Sequence, residues 1–303
     1  MNLLQESFSA GKPFLKWAGG KNQLINSISE RLPFDFFEYD TYIEPFVGGG
    51  AILFWVLSNF PNIKSVIIND INQDLSWAYQ TVRENPKSLI NELKALQDQF
   101  YSFENDDDKK TFYLHQRTIF NERKLKPIEN TAILIFLNKT TFNGLYRVNS
   151  KNQFNVPFGK FSSPPNICNE SIILTDSDLL QRVTVLNGDY TKVRNYISGK
   201  TFVYLDPPYK PLSKTSSFNS YSFETFDDIQ QYRLYGFCKE LNNNGVKWLL
   251  SNSDPKNTDP GNMFFDELYK DFSIKRVPAK RHINSQGDKR GVINELLIDN
   301  FNE

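Results

Sequence analysis

The residues with the clearest chemical potential are Asp206-Pro207-Pro208-Tyr209, which follow the apolar run at residues 201–205. Proline fixes φ and donates no backbone hydrogen bond, so the predicted strand ends here. The resulting stiff tip presents one carboxylate, bare carbonyl groups and one aromatic ring beyond the carboxyl end of a strand. In open α/β sheets, ligands bind at that edge.

Such a tip suits a reaction at a planar exocyclic amine. In adenine, the lone pair of N6 is delocalised into the ring, so the nitrogen is a poor nucleophile. A carboxylate and a proline carbonyl can each accept one N–H hydrogen bond and so favour a pyramidal nitrogen, while the tyrosine ring stacks on the base. The same four residues also suit a plain turn after a buried strand, so the tetrapeptide alone leaves both interpretations open.

A second candidate site follows the strand predicted at residues 41–44. Glu44-Pro45-Phe46-Val47 leads into glycines 48–50 and then into an apolar run that predicts a helix. The next predicted strand ends at Asp70, about twenty residues past the glycines, where an acid meets ribose hydroxyls in nucleotide-binding sheets. Because the loop is not GxGxxG and Glu44-Pro45 would crowd a pyrophosphate, we expect a ligand with ribose and no phosphate, such as S-adenosylmethionine.

The segment Phe14-Leu-Lys-Trp-Ala-Gly-Gly-Lys21 precedes helical spacing at residues 22–32. Glycines before a helix leave its first N–H groups open to an anion. The segment is not a Walker A loop, because no strand precedes it and Asn22 stands where Ser or Thr is required. Taken alone, it is more typical of a helix entry.

Two stretches are rich in cations and poor in acids. Residues 138–165 contain four cations and no acid, and residues 275–290 contain six cations and one acid. Within the first stretch, basic and aromatic side chains flank a polar turn at 150–152, a pattern that predicts a β-hairpin able to enter a DNA groove. Charged runs are usually solvated faces, so the two stretches favour a polyanionic substrate only modestly.

Composition narrows the class of protein. The 303 residues contain no apolar run long enough to cross a membrane and no signal-peptide layout, which predicts a soluble, cytoplasmic protein. The formal net charge of zero argues against a binder that acts by charge alone. Cys168 and Cys238 are isolated, and His115 and His282 have no metal-binding spacing, so we expect neither a disulfide framework nor a metal site.

The secondary-structure signals fall into a sheet-forming part and a helical part. Strands are predicted at residues 41–44, 65–69, 182–187, 201–205, 246–251 and 294–298. Helical spacing fills residues 72–137, where the acidic residues 104–108 predict a surface loop, and a long helix follows at about 227–242. The expected fold class is therefore α/β, with its sheet interrupted by an insertion at roughly 80–170.

Four motifs, at residues 14–21, 44–50, 142–159 and 206–209, occur in that order. Together they resemble the Dam-type DNA adenine-N6 methyltransferases, including the DpnII-like restriction-modification enzymes. The resemblance implies a Rossmann-like, S-adenosylmethionine-dependent catalytic domain over residues 1–80 and 171–303. It also implies a mostly helical target-recognition domain with a β-hairpin over residues 81–170 and double-stranded DNA as partner. A cognate restriction endonuclease that acts separately is compatible with the resemblance.

The resemblance also assigns residues to the methyl donor and the target base. Donor contacts by position are Trp17, Lys21, Glu44, Pro45, Phe46, Gly48, Asp70, Asp189, Tyr190 and Asp206. Among them, Trp17 would lie near the sulfonium and Asp70 would hold the ribose hydroxyls. Asp206 would sit between donor and target amine, with Pro207 and Pro208 shaping the tip, and Tyr209 would stack on the target base.

DNA contacts follow in the same way, with the adenine flipped out of the duplex. Lys16 and Arg147 match guanine contacts of GATC-specific relatives, and Leu145 and Pro157 match apolar base contacts. The remaining matches are Phe142, where relatives use a tyrosine wedge, Asn143 beside it, Lys160 in place of an arginine, and Lys280 and Arg281 in a basic stretch that resembles a mobile DNA-facing loop. The predicted site is GATC.

Three other functions share parts of this pattern. A methyltransferase of RNA or of a protein amide would have the same fold, although an Asp at position 206 and the predicted hairpin favour DNA adenine. A nicotinamide oxidoreductase would explain residues 48–70 and leave the 206–209 tip unused. A non-catalytic DNA-binding module would use the basic stretches and have no need of a donor pocket.

Overall fold

A single sheet carries the predicted catalytic tip. The computed structural model describes residues 10–17, 21–209, 226–280 and 292–302. In these residues the strands are β1 (Thr41–Glu44), β2 (Ser65–Asp70), β3 (Val183–Asn187), β4 (Thr201–Leu205), β5 (Lys247–Ser253), β6 (Ser273–Lys280) and β7 (Val292–Asp299). They form a seven-stranded sheet in the order β3-β2-β1-β4-β5-β7-β6.

The strand order reverses at the centre of the sheet. β1 pairs in parallel with β2 and with β4, and β4 pairs in parallel with β5, whereas β7 is antiparallel to β5 and β6. The chain proceeds from β1 outward to β2 and β3, and from β4 outward to β5 on the other side. The crevice beyond the carboxyl ends of β1 and β4 is therefore the switch point at which such sheets bind ligands. The predicted Rossmann-like sheet is confirmed.

The strands form where the sequence is continuously apolar. Every residue of β1 and β4 is buried, and so are the four central residues of β2. Parallel strands are covered on both faces, so they read as apolar runs rather than as an alternation. The core around them includes Ile43, Val203, Leu205, Leu234, Phe237, Trp248, Leu250 and Ile298.

The helices begin at local signals. Their bounds are α1 (Ile25–Ser29), α2 (Ala51–Asn59), α3 (Gln73–Glu84), α4 (Pro86–Ser102), α5 (Asp106–Asn121), α6 (Pro127–Thr140), α7 (Glu170–Leu180), α8 (Asp228–Asn243) and α9 (Phe264–Leu268). The N-cap side chains of α3, α5, α7 and α8 accept a backbone N–H of the first turn, and α4 and α6 begin with proline. None of the described helices is long and apolar enough to cross a membrane.

Helix α6 forms the core of the helical part. Residues 130–138 are buried without interruption, and α3, α4 and α5 all pack against this helix. A helix that is apolar on every side is stable only when neighbours surround it. The helical spacing predicted for residues 72–137 is confirmed by α3 to α6.

Two local predictions were partly wrong. Glu104 and Asn105 lie in the exposed connection between α4 and α5, as predicted, but residues 106–108 form the first turn of α5, where the Asn105 side chain accepts the N–H of Asp108. Carboxylates in a first helical turn are favoured by the positive end of the helix dipole. The helix predicted at 22–32 is shorter, with a 3-10 turn over Lys21–Leu24 followed by α1.

The basic stretch at 275–290 was predicted to be a DNA-facing loop, and its first part is instead a strand. Residues Ser273–Lys280 form β6, which pairs along its whole length with β7. Arg276 faces the protein, where its guanidinium binds Asp254 and Asp266 at 2.8 Å each. Lys280 is the last residue of β6, and Arg281 lies outside the described residues.

The chain divides into two units. One comprises Gly48–Pro61, Asn72–Val185 and the described part of Met1–Gly20; the other comprises Lys21–Val47, Asn62–Ile71 and Leu186–Glu303. The first unit therefore gathers α2 to α7, and the second gathers most of the sheet with α1, α8 and α9. The assignment of target recognition to residues 81–170 stays a prediction.

Asp176 makes the stability of the first unit depend on pH. Its side chain is fully buried in α7 and accepts one hydrogen bond, from the backbone N–H of Lys12. Burial raises the pKa of Asp176 from 3.8 to about 8, although the Lys12 N–H lowers it. The native protein therefore holds this proton more tightly than the unfolded chain, so stability from Asp176 declines as the pH rises from 3.8 toward about 8.

We expect Asp176→Asn, which cannot ionise, to remove this pH dependence. The free energies of unfolding of both proteins are measured by urea denaturation across the range from about pH 5 to about pH 8. The free energy of unfolding of the Asn variant should increase relative to that of the wild type as the pH rises. A difference that stays constant over the range would contradict the assignment.

Candidate active site and recognition surface

The Asp206-Pro207-Pro208-Tyr209 tip lies directly beyond the last residue of β4. Pro207 is buried and Pro208 is exposed, while Asp206 and Tyr209 are half-buried. Because neither proline can donate to a neighbouring strand, the sheet pairing of β4 stops at Leu205. The tip therefore presents its acid and its ring at the switch point of the sheet.

The Asp206 carboxylate is held by a cation and a hydroxyl. Lys21 Nζ and Ser251 Oγ each lie 2.9 Å from Asp206 Oδ1. Lys21 is itself buried, and Ser251 belongs to β5, the strand next to β4. Burial raises the pKa of Asp206, and Lys21 and Ser251 act against that rise. The sequence predicted Asp206 and Lys21 for this site and missed Ser251.

Tyr209 is fixed at its edge and on one face. Its hydroxyl donates a hydrogen bond to the Glu295 carboxylate of β7, and Lys21 Nζ lies 4.4 Å from the centroid of its ring. Burial raises the pKa of the Tyr209 hydroxyl well above its ordinary value, and the carboxylates of Asp206 and Glu295 add to this. The hydroxyl therefore stays protonated and keeps its role as a donor. Sequence reasoning missed Glu295.

Glu44 contributes a second buried carboxyl group at the switch point. It ends β1, is almost fully buried, and accepts a hydrogen bond of 2.8 Å from the Tyr42 hydroxyl. Burial raises the pKa of Glu44 well above its usual range, the charge of Asp206 adds to the rise, and Tyr42 and Lys21 oppose it. The structure thus brings Glu44, Asp206 and Lys21 into one electrostatic group.

The loops after β1, β2 and β3 are tied together. The Asn69 side-chain amide donates to the carbonyls of Pro45 and Gly188, at 3.0 and 2.9 Å. The backbone carbonyl of Asp70 accepts the N–H of Gly188 at 3.0 Å. Asp70 therefore stands where the sequence predicted it, at the end of β2 and beside the loop that contains Asp189.

Asp189 is already engaged by the protein. Its carboxylate accepts hydrogen bonds from Thr191 and a two-pronged pair from Arg233, at 2.7 and 3.0 Å. Burial opposes its ionisation, but Arg233 and Thr191 lower the pKa of Asp189 to about 2. The adjacent Tyr190 ring lies 5.1 Å from that of Phe46 and beneath the Arg233 guanidinium. Tyr190 is buried in the core, and the partly buried Phe46 packs against it.

In the first unit, the glycine loop packs on Trp17. Gly48 has a φ of +49°, and a Cβ on Gly49 would lie 2.7 Å from the Trp17 Cβ. The indole in turn stacks on Tyr146, with ring centroids 4.6 Å apart. The glycines are thus required for the close approach of Trp17, a reason that sequence reasoning did not find.

The predicted β-hairpin is a looser structure than expected. In the described residues 141–159, a 3-10 turn over Phe142–Gly144 and two isolated antiparallel bridges, Thr141 to Phe158 and Val148 to Phe154, replace continuous strands. Proline at position 157 and positive φ angles at Asn143 and Asn152 break a regular ladder. We call residues 141–159 the recognition loop.

Side chains alternate between the two faces of the recognition loop. The side chains of Tyr146, Val148, Phe154 and Val156 are buried on the inner face, as is Gly144. The residues between them are partly or fully exposed: Asn143, Leu145, Arg147, Asn155 and Pro157. All the base contacts implied by the resemblance within the loop therefore lie on its outer face, together with half-exposed Phe142, and Lys160 is exposed just beyond it.

Asn138 of α6 joins Lys16 to the recognition loop. Its side chain accepts the N–H of Lys16 and donates to the carbonyls of Lys16 and Gly144, at distances of 2.8 to 3.0 Å. A Cβ on Gly144 would lie 2.5 Å from the Lys16 side chain, so this position requires glycine. The exposed Lys16 is thereby held beside the loop.

A buried carboxylate supports the inner face of the loop. Asp74 of α3 accepts hydrogen bonds from Arg123, Asn130 and the Tyr146 hydroxyl, at 2.6, 3.1 and 3.1 Å. Arg123 also donates to the carbonyl of Asn152, in the turn of the loop. No sequence signal pointed to Asp74, because it lies 72 residues from Tyr146.

Metal ligands do not gather in the part of the chain that the structure describes, where no group of three or more His, Cys, Asp or Glu could hold an ion. Cys168 and Cys238 are both free thiols.

Comparison with known proteins identifies the class. Residues 17–283 match the family model of the D12 class N6 adenine-specific DNA methyltransferases. The chain is 48% identical to the type II methyltransferase M.MjaIII of Methanocaldococcus jannaschii over 295 residues, which cover 96% of this chain and 99% of the relative. It is 33% identical to a DNA adenine methylase of Haemophilus influenzae over 287 residues, which cover 94% of this chain and 92% of the relative.

A further relative is the type II methyltransferase M1.LlaDCHI of Lactococcus lactis subsp. cremoris. The two chains are 36% identical over 306 residues, which cover 99% of each chain. The chain belongs to the D12 class of N6 adenine-specific DNA methyltransferases. It is an enzyme that methylates adenine in DNA and takes its methyl group from a donor. The predicted enzyme class is confirmed.

Replacing Asp74 should destabilise the first unit. Asp74→Ala leaves Arg123, Asn130 and Tyr146 without their common acceptor, and we expect it to cost about 2–4 kcal/mol of unfolding free energy because Arg123 keeps some contact with water. Urea denaturation measures this cost. Asp98→Ala, the same change at an exposed site of α4, is the control and should alter stability by less than about 0.5 kcal/mol. Equal effects of the two variants would sink the assignment.

Proposed function

We propose that the enzyme transfers the methyl group of S-adenosylmethionine to N6 of an adenine flipped out of duplex DNA, within the sequence GATC. The observation that carries this proposal is the Asp206 carboxylate. It stands at the switch point, held on Oδ1 by Lys21 and Ser251 and next to the clamped Tyr209 ring. This arrangement supports recognition of an aromatic amine, whose N–H groups need acceptors and whose ring needs a stacking partner.

The second unit has groups of the kinds that S-adenosylmethionine needs. Asp70 offers a carboxylate for the two ribose hydroxyls, and Phe46 and Tyr190 offer rings for the purine. Glu44 and Pro45 line the same end of β1, and Asp189 would have to share its oxygens with Arg233. This chemistry fits the donor. For Trp17 and Gly48, the donor contact implied by the resemblance stays a prediction.

When bound, S-adenosylmethionine supplies an electrophilic methyl group on a positively charged sulfur. Asp206 and the carbonyl of Pro207 each accept a hydrogen bond from one N–H group of the target amine. The two hydrogen bonds favour a localised lone pair on the nitrogen. Tyr209 stacks on the base and fixes its plane. Positive charge develops on the amine next to a carboxylate that needs no reorganisation, so positioning and electrostatics contribute most of the catalysis. After transfer the methylated nitrogen is acidic, so its proton can then leave.

Flipping is required because the amine of a stacked adenine cannot reach the tip. Phe142 supports this step, since the residue is 50% exposed at the start of the recognition loop. It would enter the gap that the adenine leaves. We assign target recognition to residues 81–170, with Lys16 held beside them by Asn138.

The GATC proposal rests on the outer face of the recognition loop and on the resemblance. Arg147 and Lys16 suit the two major-groove acceptors of guanine, and Leu145 and Pro157 suit the methyl group of thymine. The Arg147 Nε donates to Asn155 Oδ1 at 2.8 Å, which orients the guanidinium before DNA binds. Lys160, Lys280 and Arg281 are proposed as supporting contacts to DNA.

Two relatives are named type II methyltransferases, which supports the proposal that this enzyme protects DNA from a separate cognate restriction endonuclease. Others are named DNA adenine methylases. Because its substrate is DNA, we propose that the enzyme is cytoplasmic, as the sequence predicted.

The decisive experiment is digestion of plasmid DNA treated with enzyme and S-adenosylmethionine. We expect the DNA to resist a nuclease that GATC adenine methylation blocks and to be cut by one that requires the mark.

The catalytic role of Asp206 is tested in the same assay. Asp206→Ala removes a hydrogen-bond acceptor of the amine and should slow methylation by about 100- to 1000-fold, whereas Asp178→Ala, at an exposed site of α7, should act as the wild type. Methylated adenine with unmodified GATC sites would reject GATC and leave the enzyme class intact, and an Asp206→Ala enzyme within tenfold of wild type would reject the catalytic role.

Arg147→Ala should weaken the reading of one guanine. We expect the ratio of kcat/KM on GATC to that on a duplex with the guanine replaced to fall by the equivalent of about 1–3 kcal/mol, the worth of a two-pronged contact. Lys151→Ala, in the exposed turn of the loop, should lower both rates equally and flatten the salt dependence. If Arg147→Ala behaves like Lys151→Ala, Arg147 is a phosphate contact.

A further inference from the structure

Tyr204 and Ser251 form a chain of hydroxyl groups behind the Asp206 carboxylate. The Tyr204 hydroxyl lies 2.9 Å from Ser251 Oγ, and the Ser251 hydroxyl donates to Asp206 Oδ1 at 2.9 Å. A serine hydroxyl has one proton, and that of Ser251 points to Asp206. The Tyr204 hydroxyl must therefore donate to Ser251, and the chain runs in one direction, from Tyr204 to Asp206.

The register of the sheet explains this placement. In the parallel pairing of β4 with β5, Leu205 is the partner of Leu250, so Ser251 follows Leu250 as Asp206 follows Leu205. Both Tyr204 and Ser251 are fully buried. A buried hydroxyl without a partner costs free energy, and here each hydroxyl finds its partner in the direction of the catalytic tip. Because both residues belong to central strands, their positions are rigid.

We propose that Ser251, supported by Tyr204, is a positioning residue that sets the orientation of the Asp206 carboxylate toward the target amine. This inference rests on the proposed role of Asp206. Lys21 also binds Oδ1, but an ammonium on a flexible stem tolerates many carboxylate orientations. A second bond to the same oxygen, made from a rigid strand, fixes rotation about the Cβ–Cγ bond and so determines where Oδ2 points.

Ser251 also acts on the charge of Asp206. Among the described residues, the charged and titratable groups that act on this carboxylate are Lys21, Tyr42, Glu44, Tyr204 and Tyr209, with Glu295 behind Tyr209. Burial raises the pKa of Asp206, while Lys21 and the Ser251 hydroxyl lower it. Only the ionised carboxylate offers both oxygens purely as acceptors. Loss of Ser251 should therefore shift the pH range in which Asp206 is competent upward.

The test is single-turnover methyl transfer, with the whole enzyme saturated with S-adenosylmethionine and a GATC duplex, measured as a function of pH. For Ser251→Ala we expect the rate of methyl transfer to fall by about tenfold or more, because a hydrogen bond to a charged group is lost. The acid limb of the profile should move to higher pH, while the affinities for donor and DNA stay unchanged. Tyr204→Phe keeps the Ser251–Asp206 bond, so it should shift the profile in the same direction by a smaller amount.

The outcomes separate this inference from the proposed function. A Ser251→Ala enzyme with a wild-type rate and an unmoved acid limb overturns the role of Ser251. So does a variant that loses only donor or DNA affinity, because the serine would then support the fold and not the carboxylate. Asp206→Ala, run in the same assay, distinguishes the two levels. If it is active, the role of Asp206 itself is wrong, whereas an inactive Asp206→Ala beside a normal Ser251→Ala enzyme rejects Ser251 alone.

Discussion

The site depends on keeping a negative charge at the end of a fully buried strand. Burial raises the pKa of Asp206 and so favours its protonated form, while Lys21 and the Ser251 hydroxyl lower the pKa. The same Lys21 lies over the ring of Tyr209, which Glu295 holds from its other end. One ammonium thus links the acid and the ring of the tip, and neighbouring strands orient both. Without these contacts, the side chains of Asp206 and Tyr209 would have no fixed orientation.

The sheet satisfies this constraint through its topology. Because the strand order reverses between β1 and β4, the carboxyl ends of these strands border the crevice at the switch point of the sheet. Glu44 and Asp206 both reach it, and burial raises the pKa of each. Two carboxyl groups in one crevice disfavour a second negative charge. Burial raises the pKa of Glu44 well above its usual range, whereas Asp206 has the Lys21 ammonium 2.9 Å from its Oδ1.

The recognition loop, which we propose reads the DNA sequence, has little regular structure of its own. Its inner side chains are buried, and the turn and Tyr146 are held by Arg123 and Asp74. The outer side chains are consequently presented in alternation, as they would be on a strand, without a continuous ladder. Asn138 gives Lys16 the same support. The outer residues of the loop are thus positioned by buried polar contacts rather than by a continuous ladder of sheet hydrogen bonds.

The sequence by itself determined the features whose signals are local. Apolar runs located β1, β2 and β4, the prolines ended β4, and the position of Asp70 followed from the length of one β-α-β unit. The tertiary structure alone decided which distant residues meet. Ser251 lies 45 residues from Asp206, and Glu295 lies 86 residues from Tyr209, so no spacing in the chain reveals either pair. For the same reason β6 was missed: its mixed basic and apolar residues become a strand only because β7 provides a partner for every one of them.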